Sequence, residues 1–270
     1  MLRSMYSGIS GMKNFQTKLD VIGNNIANVN TFGYKKGRVT FKDMVSQTVS
    51  GATGSGDNLG GMNPKQVGLG SQLSAIDTID TQGSLQTTGR VLDLGIQGDG
   101  YFQVEKGGNT YYTRAGNFYF DNDGFMVTAS GEFLLNAAGD ERIKIDNIGT
   151  VENLSIGADG TISYVGGTPP TQPLQIGIVR FTNNGGLEKV GNNLYRDTEN
   201  SGPPSNEGGT DAKPGDNGAG TIVSGSLEMS NVDLSEEFTE MIVAQRGFQA
   251  NTRIITTSDE ILQELVNLKR

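Results

Sequence analysis

The feature that most constrains this chain is a pair of apolar stripes, one at each end of the sequence. In the first stripe, apolar residues recur in steps of three and four, which is the spacing of one helix face and of a coiled-coil seam. Its members are Leu2, Met5, Ile9, Met12, Phe15, Leu19, Ile22, Ile26 and Val29. One additional step of three, from Met12 to Phe15, would overwind such a seam locally. The stripe is narrow, so the predicted helix (about residues 3–28) needs a partner.

The second stripe supplies that partner. Asp233 can cap a helix, and Glu236 stands three residues later, as in a capping box. Steps of three and four then continue almost to the last residue, through Met241, Ala244, Phe248, Asn251, Ile255, Ser258, Leu262 and Leu265. We therefore expect the two ends of the chain to meet, as a discontinuous coiled-coil-like domain of residues 1–35 and 233–270.

Three glycines weaken the N-terminal helix. Gly8, Gly11 and Gly23 each cost up to about 1 kcal/mol relative to alanine in a helix interior. An isolated helix with this composition is marginal in water. We predict that it is disordered in the free monomer and folds only against a partner.

Between the stripes the period changes to that of β-strands. Short β-prone runs, such as 101–105 and 110–114, alternate with Gly-, Asn- and Asp-rich turns, and no long helical pattern intervenes. This spacing indicates a mainly antiparallel, β-rich outer domain over residues 66–232. Residues 36–65 are predicted to be a linker or extended segment. The predicted fold class is α+β, with paired terminal helices and a central β domain.

The composition excludes most of the side-chain chemistry that enzymes use. The chain has no His and no Cys, which excludes imidazole bases, thiol nucleophiles and the usual zinc sites. Residues 121–124 (DNDG) faintly resemble a calcium loop, but Phe125 and Met126 stand where an EF-hand needs a ligand and a glycine. We predict no enzymatic activity, no cofactor and no metal site.

Charge and hydropathy limit the partners. The formal net charge is −9, although residues 1–42 contain seven Lys or Arg and one acidic residue. These basic residues are spread along a helix and the segment after it, so nucleic-acid binding is not predicted. No run approaches the ~18 apolar residues of a membrane span. The N-terminal segment also lacks the continuous apolar core of a cleaved signal peptide.

Four asparagines close the first helix, at Asn24, Asn25, Asn28 and Asn30. Two interpretations remain open. The cluster could cap the helix and form a turn, or its amides could bond across subunit contacts, since an amide both donates and accepts.

Several segments of the chain resemble signature segments of a known protein family. Residues 24–35 (NNIANVNTFGYK) resemble the N-terminal signature of bacterial flagellar rod and hook proteins, and residues 232–251 resemble the C-terminal signature. Residues 88–94 (TGRVLDL), 98–102 (GDGYF) and 112–118 (YTRAGNF) resemble the family's β-domain core.

The resemblance implies an axial structural protein of the bacterial flagellum. Its terminal helices would form the inner layer of a self-assembled helical tube, and its β domain the outer layer. Subunits would pass unfolded through the flagellar type III export apparatus and contact neighbouring axial proteins, namely rod, hook–filament junction and hook cap proteins. The apolar stripes, with Asn24, Asn25 and Asn28, would be assembly interfaces. Head-to-tail contacts that do not close into a ring generate filaments.

Two members of the family fit. Residues 244–251 (AQRGFQAN) are closer to the hook protein, which forms a curved joint between motor and filament, and we favour this interpretation. The alternative is the distal rod protein, a straight drive shaft, because the chain is short and residues 44–66 are Gly-rich. An unrelated β-rich adhesin or phage tail component is a remote alternative, since it would not need both terminal signatures.

Overall fold

A computed structural model describes residues 2–54, 60–166, 174–205, 212–216 and 218–268. In chain order its helices and strands are α1 (Leu2–Ala27), β1 (Gly37–Asp43), β2 (Ser46–Ser50), β3 (Lys65–Gly68), β4 (Ser71–Thr78), β5 (Leu85–Thr87), β6 (Leu94–Gln97), β7 (Tyr101–Lys106), β8 (Asn109–Thr113), β9 (Phe118–Phe120), β10 (Met126–Thr128), β11 (Phe133–Leu134), β12 (Glu152–Ile156), β13 (Ile162–Val165), β14 (Ile178–Val179), β15 (Glu188–Gly191), β16 (Leu194–Arg196), β17 (Thr221–Ser224), β18 (Ser226–Glu228) and α2 (Leu234–Leu268). The predicted α+β class, with terminal helices and a mainly antiparallel β region, is confirmed.

The chain divides into two compact units. Unit 1 consists of residues 1–27, 37–77 and 233–270, and unit 2 of residues 28–36 and 78–232. These bounds differ from the domains predicted from the sequence. Residues 37–77, expected as a linker and the start of the β domain, group with the helices, while residues 28–36 group with the β unit.

Unit 1 combines the two long helices with short β-ribbons. Asp233 caps α2, because its carboxylate accepts hydrogen bonds from the backbone N–H groups of Ser235 (2.8 Å) and Glu236 (3.4 Å).

Strand β1 pairs with β4, and β2 pairs antiparallel with β3. The predicted extended segment is therefore largely hydrogen-bonded ribbon.

Unit 2 is built on an eight-stranded antiparallel sheet. The order is β15-β16-β8-β7-β11-β10-β9, and β14 also pairs with β7. Both faces of β7 are buried: Phe102 and Val104 enter one apolar cluster, whereas Tyr101 enters a second one with Tyr112. The sheet thus has packed side chains on both sides.

No helix within the described residues is long and apolar enough to cross a membrane.

Candidate assembly interface

Helices α1 and α2 pack antiparallel within unit 1. Residues later in α1 contact residues earlier in α2. The pairs are Asn25 with Glu237, Lys18 with Glu240, Phe15 with Gly247, Gly11 with Asn251, and Gly8 with Ile255. We call this contact line the helix seam.

Glycines set how closely the helices approach. A Cβ at Gly247 would lie 2.5 Å from Cζ of Phe15, so the aromatic ring packs directly on the glycine backbone. A Cβ at Gly11 would lie 3.0 Å from the side-chain oxygen of Asn251, whereas Gly23 has nothing within 4 Å. Gly11, one of the glycines that weaken α1 as an isolated helix, therefore makes room for α2, whereas a Cβ at Gly8 would be in ordinary contact, 3.6 Å from Cγ1 of Ile255.

The predicted N-terminal stripe is buried unevenly along α1. Ile22 is buried, while Met5, Met12, Phe15, Leu19 and Ile26 are half-buried. Ile9 is 38% exposed, because it follows the seam residue Gly8 by one position, about 100° round the helix. Asn24 is exposed, Val29 and Asn28 are half-buried in unit 2, and the side chain of Leu2 lies outside the described part of the chain.

The predicted C-terminal stripe follows the seam more closely. Ala244 and Ser258 are buried, and the half-buried members are Met241, Phe248, Asn251, Ile255 and Leu262. Leu265 is 48% exposed. The assignment of either stripe to contacts between subunits stays a prediction.

Helix α2 carries further apolar side chains on both sides of the seam. On one side, in its first half, lie the exposed residues Leu234, Phe238 and Ile242. On the other side lie the exposed residues Val243, Ile254, Ile261, Leu265 and Leu268. We call these two groups the flanks of α2. Exposed apolar groups at regular helical spacing are typical of a surface that binds another protein.

Two of the four asparagines, Asn25 and Asn28, bond within the subunit. The amide of Asn25, 1% exposed, donates to the carbonyl of Gly37 (2.9 Å) and to Glu237 Oε2 (3.2 Å), and it accepts from the N–H of Gly37 (3.0 Å). The side chain of Asn28 accepts a hydrogen bond from the Thr31 hydroxyl (3.1 Å). Both of these amides thus shape the end of α1 and the turn after it.

The signature segment after α1 belongs to unit 2. Gly33 has a φ of +68°, and its N–H donates to the carbonyl of Glu228 (2.8 Å). A Cβ there would lie 2.6 Å from the backbone of Arg114. Position 33 therefore requires glycine for two independent reasons.

A buried charge cluster lies beside this turn. Lys35 Nζ bonds Glu228 Oε1 (2.7 Å) and the carbonyl of Thr81 (2.8 Å), and Arg114 Nη1 bonds Glu228 Oε2 (3.0 Å). Lys35, Arg114 and Glu228 are each 1% exposed. Burial lowers the pKa of Lys35, as does the nearby Arg114, while Glu228 opposes the shift.

Sequence reasoning missed this cluster. Lys35 and Arg114 do lie in segments 24–35 and 112–118, which carry the family resemblance, but nothing near Glu228 indicates a buried carboxylate. In the described part of the chain, no group of three or more His, Cys, Asp or Glu is placed to hold a metal.

The fold and the helix pair together are typical of a structural subunit. The chain joins a β unit to terminal helices with apolar flanks. Three family models match the chain. They are "Flagella basal body rod protein" over residues 5–35, "Flagellar hook protein FlgE/F/G D1 domain" over 95–164, and "Flagellar basal body rod FlgEFG protein C-terminal" over 223–268.

Individual relatives match over their whole length. Flagellar basal-body rod protein FlgG of Bacillus subtilis is 62% identical, with 100% of both chains covered. The rod protein FlgG of Buchnera aphidicola subsp. Acyrthosiphon pisum is 38% identical over 99% of this chain and 100% of its own. Flagellar hook protein FlgE of Borreliella burgdorferi is 32% identical, with 100% of both chains covered. The chain belongs to the family of flagellar rod and hook proteins, and it is an axial structural subunit of the flagellum.

Within the family, the comparisons favour the rod alternative over the hook interpretation. The alignment with the hook protein spans 446 positions, against 270 residues in this chain. The hook relative therefore has a long segment without a counterpart here. The eight residues 244–251, on which the hook interpretation depended, are a short signal beside similarity over the full length.

Proposed function

We propose that this chain is the distal rod subunit of the flagellar basal body, assembling with further copies into a straight helical tube. The observation that carries this proposal is the full-length 62% identity to a basal-body rod protein, with no large insertion on either side. The tube would act as a drive shaft that transmits motor torque.

The helix pair is the proposed site of assembly. The exposed apolar flanks of α2 lie on opposite sides of the seam, so one subunit can offer different surfaces to different neighbours. Contacts between unlike surfaces continue into an open helical array when the rotation between neighbours does not close a ring. The residues predicted from the stripes would act together with Phe238, Ile242, Ile254 and Ile261 of the flanks.

Family membership also supports the proposed route and neighbours. The subunit would be exported through the flagellar type III apparatus without a cleaved signal peptide. It would add to other rod proteins and meet the axial proteins of the hook at the end of the rod. Hook–filament junction and hook cap proteins would be more distant neighbours.

Electron microscopy of the polymer of the purified protein tests the proposal. A straight, stiff tube is expected. Curved, flexible tubes would instead establish the hook alternative. Removal of residues 233–270 addresses the remote alternative of an adhesin or phage tail component, because an axial protein loses polymerisation whereas an adhesin head keeps its ligand.

A further inference from the structure

The buried cluster of Lys35, Glu228 and Arg114 has no part in the helix seam, yet it is the most deeply buried charge group of unit 2. Glu228 accepts hydrogen bonds from Lys35, from Arg114 and from the backbone N–H of Gly83 (2.9 Å). Arg114 also donates to the carbonyl of Gly98 (2.8 Å). Each partner adds a directional contact, and a buried charge without such contacts is very unfavourable.

The cluster joins three segments of unit 2, each of which continues into unit 1 along the chain: residues 28–36, 78–83 and 226–232. Lys35 links the first segment to the carbonyl of Thr81 in the second and to Glu228 in the third. Glu228 in turn holds Gly33 of the first segment through its carbonyl and Gly83 through its carboxylate.

A neighbouring asparagine repeats the same connection. The Asn231 amide donates to the carbonyls of Ile79 (2.8 Å) and Thr81 (3.2 Å), and it accepts from the N–H of Lys36 (2.8 Å). The N–H of Ile79 donates to the carbonyl of Lys36 (2.9 Å). The same three segments are thus held twice, by a charged and by a neutral group.

A charged contact holds the three segments differently from an apolar one. An apolar contact among the segments would tolerate sliding, because apolar packing has little directional preference. Buried donors and acceptors are satisfied only while their partners stay within hydrogen-bond distance, and Lys35 Nζ bonds a carboxylate and a carbonyl at once, with Asp80 Oδ1 lying 3.7 Å from it. The large apolar core of the sheet is complete without these residues.

We propose that Lys35 and Glu228 are positioning residues, which fix where the three connecting segments leave unit 2 and thereby hold the subunit in its assembly-competent conformation. The positioning of the segments stands on the geometry of unit 2, and only its consequence for assembly rests on the proposed function.

The test is hydrogen exchange on the full-length variant Lys35→Met, which keeps an unbranched side chain and removes the ammonium group. Amide exchange in peptides covering 28–36 and 78–84 should accelerate at least tenfold. Exchange in the sheet strands β7 and β8 should stay within twofold of the unmodified protein. Polymer formation by this variant should slow at least fivefold.

Lys106→Met is the matched control. Lys106 pairs with the buried Glu132 at 3.0 Å in the same unit, and neither residue belongs to the three segments. It should leave exchange in 28–36 and 78–84 unchanged. Lys35→Arg, which keeps the charge, should restore at least part of the protection in those peptides.

Uniform acceleration across unit 2, or no acceleration, would overturn the positioning role. If Lys35→Met fails to fold, Glu228→Gln provides the same readout, because it retains an acceptor for Gly83 but loses the charge. Failure of the unmodified protein to form tubes would contradict the proposed function and leave the exchange result to judge the cluster independently.

Discussion

The two units of this protein differ in how they distribute apolar side chains between the surface and the interior. Of the large apolar residues exposed in the described part of the chain, nineteen belong to unit 1 and four to unit 2. Buried apolar residues are distributed in reverse, since unit 1 contributes only Ile22 and Ala244. Unit 2 therefore completes its own core, whereas unit 1 leaves much of its apolar surface exposed.

The difference explains why one chain can serve as a polymer subunit. A unit with a filled core folds without partners, because burial of apolar area is its main source of stability. A helix pair held by glycines and half-buried residues gains comparable burial only when other copies cover its flanks. We therefore expect stability to lie in unit 2 and assembly to depend on unit 1.

The largest expected effect is in the core of unit 2. Phe102 is fully buried and packs edge-to-face on Phe118, with ring centroids 5.3 Å apart. Phe102→Ala should lower the free energy of unfolding by about 3–5 kcal/mol. Urea denaturation followed by near-UV circular dichroism measures the change. The matched variant Phe238→Ala, in a flank of α2, should change it by less than about 0.5 kcal/mol. Similar losses from the two variants would contradict the contrast between the units.

The next effect tests the helix seam. Gly247→Ala would place a methyl group 2.5 Å from the Phe15 ring and should destabilise the helix pair by about 1–3 kcal/mol. In a Phe15→Ala background the sign should reverse, because alanine is favoured over glycine in a helix by about 1 kcal/mol. Far-UV circular dichroism during thermal unfolding of the assembled protein measures both changes. Destabilisation in both backgrounds would show that Phe15 is not the obstacle.

A smaller, pH-dependent effect is expected at Glu132, which is 2% exposed. Burial by itself would raise the pKa of this carboxyl, but hydrogen bonds from Thr128 and Lys106 hold the pKa below its usual value. Its contribution to stability is therefore present above pH 4.5 and is lost as the pH falls through the lowered pKa. Glu132→Gln should cost about 1–3 kcal/mol at pH 7, and progressively less below pH 4. A difference from the unmodified protein that is independent of pH would refute a role for the ionised carboxylate.

The smallest effect on stability should accompany the largest effect on assembly. Phe238 is 50% exposed, so Phe238→Asp should shift the unfolding free energy of the free subunit by less than about 0.5 kcal/mol. It should nevertheless abolish polymerisation, because a charge would be buried among apolar partners. Sedimentation of the polymer measures the effect, and Tyr119→Asp, an exposed aromatic of unit 2, is the control.

Phe248→Asp sharpens the same comparison. Phe248 is half-buried on α2 and belongs to the predicted C-terminal stripe. Its replacement should block assembly and leave unit 2 folded. Normal tubes from this variant would refute the pairing of the two stripes.

The sequence predicted what periodicity and end signals encode. The bounds of α1, the Asp233 cap of α2 and most strands of unit 2 follow from spacing and turn residues. The stripe of α1 was less informative, because Gly8 and Gly11 line the seam whereas Ile9 is exposed. Glycine has no side chain to register in an apolar pattern, so a contact through its backbone is invisible to that pattern.

Long-range polar contacts could not be predicted from the sequence for a related reason. Lys35 and Glu228 are 193 positions apart, and only the tertiary fold brings them together. Residues 36–65 were predicted to be a linker or extended segment, but the pairing of β1 with β4 was not predicted, because the two strands belong to separate segments of the chain. Pairing between distant segments depends on register, which local composition does not specify.

Hydrogen exchange in the dilute subunit and in the polymer tests the central claim most directly. Exchange across α1 and α2 should be fast in the dilute subunit and at least hundredfold slower after assembly. Strands β7 and β8 of unit 2 should be equally protected in both states. Full protection of both helices in the dilute subunit, unchanged on assembly, would contradict the claim that other copies of the chain complete unit 1.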